Sequence, residues 1–201
     1  MAELHPVVRA AAKGNLPTWA EVDSKRYEHM ERVAALLKGW AREAGLSKPE
    51  RRRWVALGFL HDALKGGAPA RLRRIVEPDL RDLPDPILHG PAAAALLRTD
   101  GVEDEALLRA IRFHTLGHPR LDDAGRALYA ADFLDPGREL RNRWRAALRA
   151  RMPGDLHVVT REIVGARILH LVRRGRPVRP ETIAMWNSLA EGEAWVRASA
   201  V

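Results

Sequence analysis

The chain has 201 residues, about 1.3 domains at roughly 150 residues each, and its 46% apolar content favours one ordinary core with a terminal extension. It has no cysteine, which excludes disulfides, thiolate metal sites and thiol catalysis. It also has no apolar run near the roughly 18 residues that a membrane helix requires. We therefore expect a cytoplasmic protein with no membrane partner. The net charge of +8 suits a polyanionic partner, and arginine enrichment from genome composition explains it equally well.

The predicted elements are all helices. Apolar residues recur at steps of three and four from Glu21, which predicts a long amphipathic helix that ends at Gly45. Ser47 and Glu50 form a capping-box pair that opens the next helix, and this helix continues through Leu64. Further helices are predicted, in chain order, at residues 87–98, 103–114, 122–134, 138–152, 155–174 and 180–196.

These elements predict an all-α fold, because no segment alternates apolar and polar residues as a half-buried strand does. We expect one bundle of seven to nine helices, formed by residues 21–201. Residues 1–20 contain Pro6, Gly14 and Pro17, and we interpret them as an N-terminal leader with at most one short helix.

Six polar residues interrupt apolar segments of these helices. The segment 54–64 is apolar nearly all round, which places it in the core, yet it carries His61 and Asp62 side by side. A buried carboxylate costs several kcal/mol unless it is paired, hydrogen-bonded or bound to metal. The other four are His29, His89, His114 and Asp132.

Taken singly, each of these six residues has an ordinary explanation as a hydrogen-bonded core residue or a helix cap. Taken together, four imidazoles and two carboxylates converge on a single positive charge if the helices form a bundle. Nitrogen and oxygen ligands without thiolates suit Fe, Mn, Co or Zn. The residues therefore predict a site for a divalent cation.

The segments that flank the six residues form a wider pattern. They are RYEH at 26–29, LHDALK at 60–65, LHGP at 88–91, IRFHTLG at 111–117 and ADFLDPGR at 131–138. With GRPVRP at 175–180 and Asn187, this pattern resembles the YqeK-like branch of the HD-domain metal-dependent phosphohydrolases, from Arg26 to Asn187. Members of that branch act as symmetrical diadenosine tetraphosphate hydrolases. The resemblance implies an HD-domain helical bundle.

The resemblance also implies roles for individual residues. It implies that an iron ion is held by His29, His61, Asp62 and Asp132, with Mn, Co or Zn as substitutes. In the wider superfamily, residues like His89 and His114 hold a second metal. The resemblance therefore leaves open whether the site holds one ion or two, and whether this pair binds a metal or a phosphate. Contacts to the nucleotide or its phosphates are implied for Arg26, Lys65, His89, His114, Thr115, Arg138, Gly175, Arg176, Pro177, Val178, Arg179 and Pro180.

The implied chemistry is hydrolysis of a phosphoanhydride, which requires a nucleophile at neutral pH. A metal ion lowers the pKa of its water toward about 7, and we expect Asp62 to bind the metal and to help accept the proton. We expect Lys65 to stabilise the charge that builds on the attacked phosphate, and Arg138 to offer a bidentate fork to the phosphate chain. Ordinary alternatives remain: Lys65 as a cation at a helix C-terminus, and Arg26 as a brace for a core carboxylate.

The resemblance implies two enzymatic functions, and the basic charge of the chain raises a third possibility. The first is hydrolysis of diadenosine tetraphosphate to two ADP, and the alternative is an HD-domain phosphohydrolase acting on nucleoside monophosphates or cyclic phosphodiesters. The third is a nucleic-acid-binding module, which we do not expect because a binding scaffold has no need for six buried polar residues. Arg179–Pro180 stands where family tails usually have His–Pro, which bears on base or ribose recognition. A homodimer is left open.

Overall fold

The computed structural model describes residues 4–138 and 142–198. Within these ranges the chain forms ten α-helices and two short 3-10 helices, the latter at Pro78–Leu80 and Asp85–Ile87. The α-helices are α1 (Pro6–Ala11), α2 (Ser24–Glu43), α3 (Lys48–Leu60), α4 (Pro69–Ile75), α5 (His89–Thr99), α6 (Glu105–Phe113), α7 (Asp123–Phe133), α8 (Asn142–Ala150), α9 (Leu156–Arg173) and α10 (Pro180–Ala198). The prediction of an all-α fold is confirmed.

Within the described part of residues 21–201 there are nine α-helices, α2 to α10, which agrees with the predicted seven to nine, and α4 is the one that the sequence analysis did not locate. It begins with Pro69 in its first turn, where the missing N–H of proline costs no hydrogen bond, and it buries Leu72. Seven residues with one buried side chain give too short a periodic pattern to be recognised in the sequence.

The third helix ends earlier than predicted. It was expected to continue through Leu64, but α3 ends at Leu60 with His61 as its C-cap, and turns follow up to residue 66. The backbone of the turns pairs with the start of the chain instead: the N–H of Glu21 donates to the carbonyl of Ala63, and the N–H of Gly66 to the carbonyl of Glu21. Lys65 therefore lies in a turn and not on a helix face.

Side-chain caps begin several helices, and the capping box among them was predicted from the sequence. Ser47 and Glu50 form the reciprocal capping box at the start of α3. The carboxylates of Asp23, Asp104 and Asp122 accept backbone N–H groups in the first turns of α2, α6 and α7, at 2.7, 2.9 and 2.8 Å. Each cap satisfies donors that have no partner inside the helix.

The bundle is built around the close contact of α2 with α3. A Cβ added at Gly58 would lie 2.5 Å from the Cα of Ala34, so only glycine allows the two helices to approach this closely. Helix α7 packs on α2, α6 and α9, and α5 packs on α6. This arrangement brings the C-terminal ends of α3, α6 and α7 and the N-terminal end of α5 toward one region of the interior.

The segment predicted as a leader contributes to the core. Helix α1 packs against α3, and its Val8 and Ala11 are buried. The hydroxyl of Tyr27 on α2 donates to the carbonyl of Gly14. The division at residue 20 stays a prediction. Within the described residues no helix is long and apolar enough to cross a membrane.

Candidate metal centre and active site

The six predicted ligands lie together in the interior. We call them the His/Asp cluster: His29, His61, Asp62, His89, His114 and Asp132. None of them is more than 7% exposed. Five of the six come from helix ends: His61 and His114 are the C-caps of α3 and α6, Asp62 follows α3, His89 begins α5, and Asp132 lies in the last turn of α7. His29 is the exception, because it lies in the second turn of α2.

Asp62 stands at the centre of the cluster, and its two oxygens face opposite sets of imidazoles. Its Oδ1 lies 2.9 Å from the Nε2 atom of His89 and 3.4 Å from the Nε2 atom of His114. Its Oδ2 lies 3.5 Å from the Nε2 atom of His61 and 3.7 Å from the Nε2 atom of His29. A carboxylate placed in this way connects the two sets.

The donor atoms accordingly form two groups, each compact enough for one metal ion. One atom from each member of a group lies within 4.8 Å of the others, and all members are buried. The groups are His29, His61 and Asp132 in the first, and Asp62, His89 and His114 in the second. The resemblance had set His89 and His114 apart as a pair, but it did not predict that Asp62 groups with them.

The donor set fits a divalent cation because two buried nitrogen atoms lack a partner. The Nε2 atoms of His29 and His61 make no hydrogen bond within the described part of the chain, although Asp132 Oδ1 lies 3.2 Å from the first of them. Buried polar atoms in native proteins are almost always satisfied, so each such atom requires an explanation. Imidazole nitrogen and carboxylate oxygen together suit Fe, Mn, Co or Zn.

The C-cap histidines are oriented by the helices that they end. The Nδ1 atom of His61 lies 2.9 Å from the carbonyl oxygen of Gly58, and that of His114 lies 2.7 Å from the carbonyl oxygen of Ile111. A carbonyl only accepts, so each Nδ1 carries a proton and donates it to a carbonyl in the last turn of the helix, where carbonyls lack the helical partner four residues ahead. Each Nε2 atom then presents a lone pair to the cluster, as a metal ligand requires.

His89 is held in a different way. Its Nδ1 atom lies 3.4 Å from the Lys65 ammonium, which also donates to the carbonyl of Pro86 at 3.2 Å. An ammonium only donates, so the neutral ring of His89 carries its proton on Nε2, which faces Asp62 Oδ1 and lies 3.1 Å from His114 Nε2. In this arrangement His89 is a hydrogen-bond donor.

The electrostatics of the cluster keep the carboxylates ionised. Burial opposes ionisation of Asp62, but the imidazoles of His61, His114 and His89 outweigh it and hold the pKa of Asp62 well below its usual value. Burial likewise opposes ionisation of Asp132, and there His29 and the charge of Arg138 depress the pKa.

The imidazoles of the cluster respond differently to burial. Burial lowers the pKa of His61 to about 4, against the opposing effect of Asp62, so this ring is neutral at pH 7. Burial also lowers the pKa of His89. For His29, burial is outweighed by the carboxylates of Asp132 and Asp135, and the pKa is raised. A neutral ring offers the lone pair that a metal requires.

Four predicted nucleotide residues border the cluster. Arg26 Nη1 lies 2.7 Å from Asp62 Oδ2, and Arg138 Nη2 lies 2.5 Å from Asp132 Oδ1. The hydroxyl of Thr115 lies 3.1 Å from the Nε2 atom of His114. Lys65 is half-buried beside His89, and this burial lowers its pKa. Arg26 thus pairs with a core carboxylate in this structure, and its predicted contact with the nucleotide stays a prediction.

The predicted nucleotide stretch Gly175–Pro180 connects α9 to α10 and is largely exposed. Within residues 4–138 and 142–198, no hydrogen bond or ion pair joins this stretch to the His/Asp cluster. The chain approaches the site just beyond it: the hydroxyl of Thr182 donates to the carbonyl of Leu116 at 2.7 Å, one residue after Thr115. The nucleotide role of the stretch stays a prediction.

The sequence analysis missed three residues at the site. Asp135 contacts His29, and Arg32 contacts Asp135. Arg167 donates to the carbonyl of Thr115 at 2.9 Å, and its guanidinium lies over the rings of Tyr129 and Phe133. Asp135 stands in the ADFLDPGR segment without a role assigned to it, and Arg32 lies three residues after His29, a spacing that also fits a surface arginine. We find no sequence signal for Arg167.

Residues 26–137 match the family model of the HD domain. The match covers more than half of the chain and includes every member of the His/Asp cluster. The chain belongs to the HD-domain family. Its adjacent His61 and Asp62 are the residue pair that the resemblance predicted, and the resemblance to HD-domain proteins is confirmed.

Two curated relatives of this HD-domain protein align with most of its length. The protein from Staphylococcus aureus is 30% identical over 184 residues, which cover 88% of this chain and 89% of the relative. The protein from Halalkalibacterium halodurans is 27% identical over 174 residues, which cover 82% of this chain and 88% of that relative. Both are named symmetrical bis(5'-nucleosyl)-tetraphosphatase.

A solved structure shares the fold. It is a protein from Clostridium acetobutylicum that is described as a predicted HD superfamily hydrolase involved in NAD metabolism. The TM-score is 0.73 at 25% identity, and the match covers 92% of this chain and 95% of that one. The similarity therefore extends beyond the matched HD domain to the helices that follow it.

Proposed function

We propose that this HD-domain protein is a metal-dependent hydrolase that cleaves diadenosine tetraphosphate symmetrically to two ADP. The observation that carries the proposal is the buried His/Asp cluster with cations at its border, in a chain that aligns over most of its length with symmetrical tetraphosphatases. The reaction adds one water across the central phosphoanhydride, so that each product keeps two phosphates.

The metal is proposed to be iron, held by His29, His61, Asp62 and Asp132, with Mn, Co or Zn as substitutes. The unpartnered Nε2 atoms of His29 and His61 and the ionised state of both carboxylates support this set. His89 and His114 would hold a phosphate oxygen, to which the Nε2–H of His89 donates, or a second ion, for which His89 would have to lose that proton. When bound, the ion supplies a water that is nucleophilic near neutral pH and positive charge at the phosphate.

Asp62 is proposed to serve first as a ligand. Its carboxylate faces both groups of the cluster, and its low pKa keeps it ionised at every pH at which the enzyme would work. The same low pKa makes it a weak proton acceptor. Its predicted role as proton acceptor stays a prediction.

The cations at the border are proposed to receive the polyphosphate chain. The side chains of Arg26 and Arg138 are 32% and 40% exposed, so both extend from the surface into the cluster. Lys65 is held by Pro86 and His89 and is not itself a ligand. Positive groups fixed before the substrate arrives stabilise charge that develops in the transition state without reorganisation.

Product analysis tests the proposal. Protein reconstituted with Fe²⁺ without oxygen, and with Mn²⁺ in parallel, is incubated with diadenosine tetraphosphate, and the nucleotides are separated by ion-exchange chromatography. We expect ADP as the sole product and no turnover after removal of metal with a chelator. AMP with ATP would contradict symmetrical cleavage. Inertness toward this substrate, with release of phosphate from nucleoside monophosphates or opening of cyclic phosphodiesters, would favour the alternative HD-domain activity.

A further inference from the structure

Asp135 is a buried carboxylate outside the His/Asp cluster and only 2% exposed. It lies in the turn after α7 and accepts four hydrogen bonds. Its Oδ1 accepts the backbone N–H of Gly137 at 3.0 Å and Arg32 Nε at 2.7 Å. Its Oδ2 faces His29 Nδ1 at 2.7 Å and accepts from Arg32 Nη2 at 3.1 Å. Both oxygens are thus satisfied although the group is buried.

The turn alone does not explain this arrangement. An aspartate that only shapes a turn needs one oxygen for the backbone N–H two residues ahead, and Oδ1 does this for Gly137. The second oxygen is directed at His29, which is 106 residues away in the sequence. Arg32 grips both oxygens and so fixes the plane of the carboxylate.

His29 needs an acceptor that its own helix cannot supply. His61 and His114 stand at helix ends, where carbonyls of the last turn accept their Nδ1–H groups. His29 lies inside α2, where the carbonyls are engaged in helical hydrogen bonds. A carboxylate from another element has to fill the same role.

We propose that Asp135 is a positioning residue that holds His29 in the Nδ1–H tautomer with its Nε2 lone pair directed at the metal, and that Arg32 holds Asp135. An ionised carboxylate only accepts, so the proton of the neutral ring lies on Nδ1. His29 Nε2, which has no hydrogen bond among the described residues, is then the ligand atom. The inference rests on the proposed metal centre.

Gly137 belongs to the same arrangement. A Cβ at this position would lie 2.6 Å from Arg32 Nη2 and 2.7 Å from its Cζ, so a side chain there would displace the guanidinium that grips Asp135. The glycine thus leaves room for Arg32 to lie against the turn.

The test uses Asp135→Asn, which keeps the shape of the side chain and removes its charge. The matched control is Asp104→Asn, because Arg53 grips Asp104 at 2.5 and 3.0 Å in a similar way, at the start of α6. The tautomer of His29 is read from ¹⁵N NMR of the metal-free protein, at a pH high enough for the ring to be neutral. The affinity for Mn²⁺ is measured by equilibrium dialysis, and circular dichroism reports the fold.

We expect His29 to be the Nδ1–H tautomer in the wild type and in Asp104→Asn. In Asp135→Asn we expect a mixed or reversed tautomer and an affinity for Mn²⁺ lower by about 10- to 100-fold. A folded Asp135→Asn protein with wild-type tautomer and affinity would overturn the proposal.

If Asp135→Asn does not fold, Arg32→Gln decides. This variant keeps the carboxylate but releases it, and the side chain of Arg32 is 36% exposed, so its loss is tolerable for the core. We expect the tautomer of His29 to become mixed and the affinity for Mn²⁺ to fall, both to a smaller extent than in Asp135→Asn. An unchanged tautomer together with an unchanged affinity would overturn the proposal. Neither readout involves a nucleotide, so an error in the proposed substrate would leave both results intact.

Discussion

Asp132→Asn is expected to lose its bound metal and to lower turnover of diadenosine tetraphosphate by about a thousandfold or more. The substitution keeps the shape of the side chain but removes a charged ligand of the first group. Charge stabilisation by a metal ion amounts to several kcal/mol, and about 4 kcal/mol corresponds to a factor of about a thousand in rate. Metal content is measured by elemental analysis of the purified variant, and turnover by chromatography of the products.

The fold of Asp132→Asn should survive. Arg138, the partner of Asp132, is 40% exposed and can be solvated when the carboxylate is lost. The matched control is Asp122→Asn, at the other end of α7, where asparagine is an equally good N-cap. Wild-type metal content and turnover in Asp132→Asn would remove this residue from the centre, whereas equal losses in both variants would indicate damage to α7.

Lys65→Ala is expected to lower turnover by about 100- to 1000-fold while the metal content stays at the wild-type level. This is the effect of removing one fixed donor that stabilises transition-state charge. Lys65 is placed for this role because its ammonium is held by the carbonyl of Pro86 and by His89 Nδ1, beside Asp62 but outside the ligand set. Turnover and metal content measured on the same preparation separate this role from ligand binding.

The control for Lys65→Ala is Lys48→Ala, which removes an exposed lysine from the first turn of α3. We expect this variant to retain wild-type turnover. Lys65→Arg should recover part of the rate, because it restores the charge in a different geometry. Full turnover in Lys65→Ala would exclude the residue from the mechanism, and loss of metal in that variant would assign it to the support of His89.

The sequence predicted the membership of the His/Asp cluster because burial and polarity conflict in it. His61 and Asp62 lie in an apolar segment, and burying such polar groups is costly unless a partner or a metal ion compensates the cost. This argument holds without any knowledge of how the helices pack. The resemblance already separated His89 and His114 from the other members, but the grouping of Asp62 with this pair was not predictable, because it depends on the direction of its two oxygens.

The end of α3 illustrates a second limit. Ala63 and Leu64 are buried although they lie in turns, so the apolar pattern continues past the last helical residue. What ends the helix at Leu60 is a set of contacts that are distant in the sequence, including the pairing of Glu21 with Ala63 and Gly66. Periodicity does not distinguish a buried turn from a buried helix.

Asp135 was missed for a related reason. The sequence Asp135–Pro136–Gly137 is typical of a turn, and the structure confirms the turn. The oxygen that matters for the site is the one that the turn does not use, and its partner, His29, lies at the other end of the domain in sequence. The local sequence therefore predicts the turn at Asp135 correctly, but it does not predict the contact of Asp135 with His29.

Anomalous diffraction from crystals of the purified protein, recorded across the absorption edge of the metal found by elemental analysis, tests the metal centre most directly. We predict a peak within bonding distance of His29, His61, Asp62 and Asp132, with His29 still hydrogen-bonded to Asp135 through Nδ1. An anomalous map without a peak among these side chains, in protein that hydrolyses its substrate, would contradict the proposed metal centre.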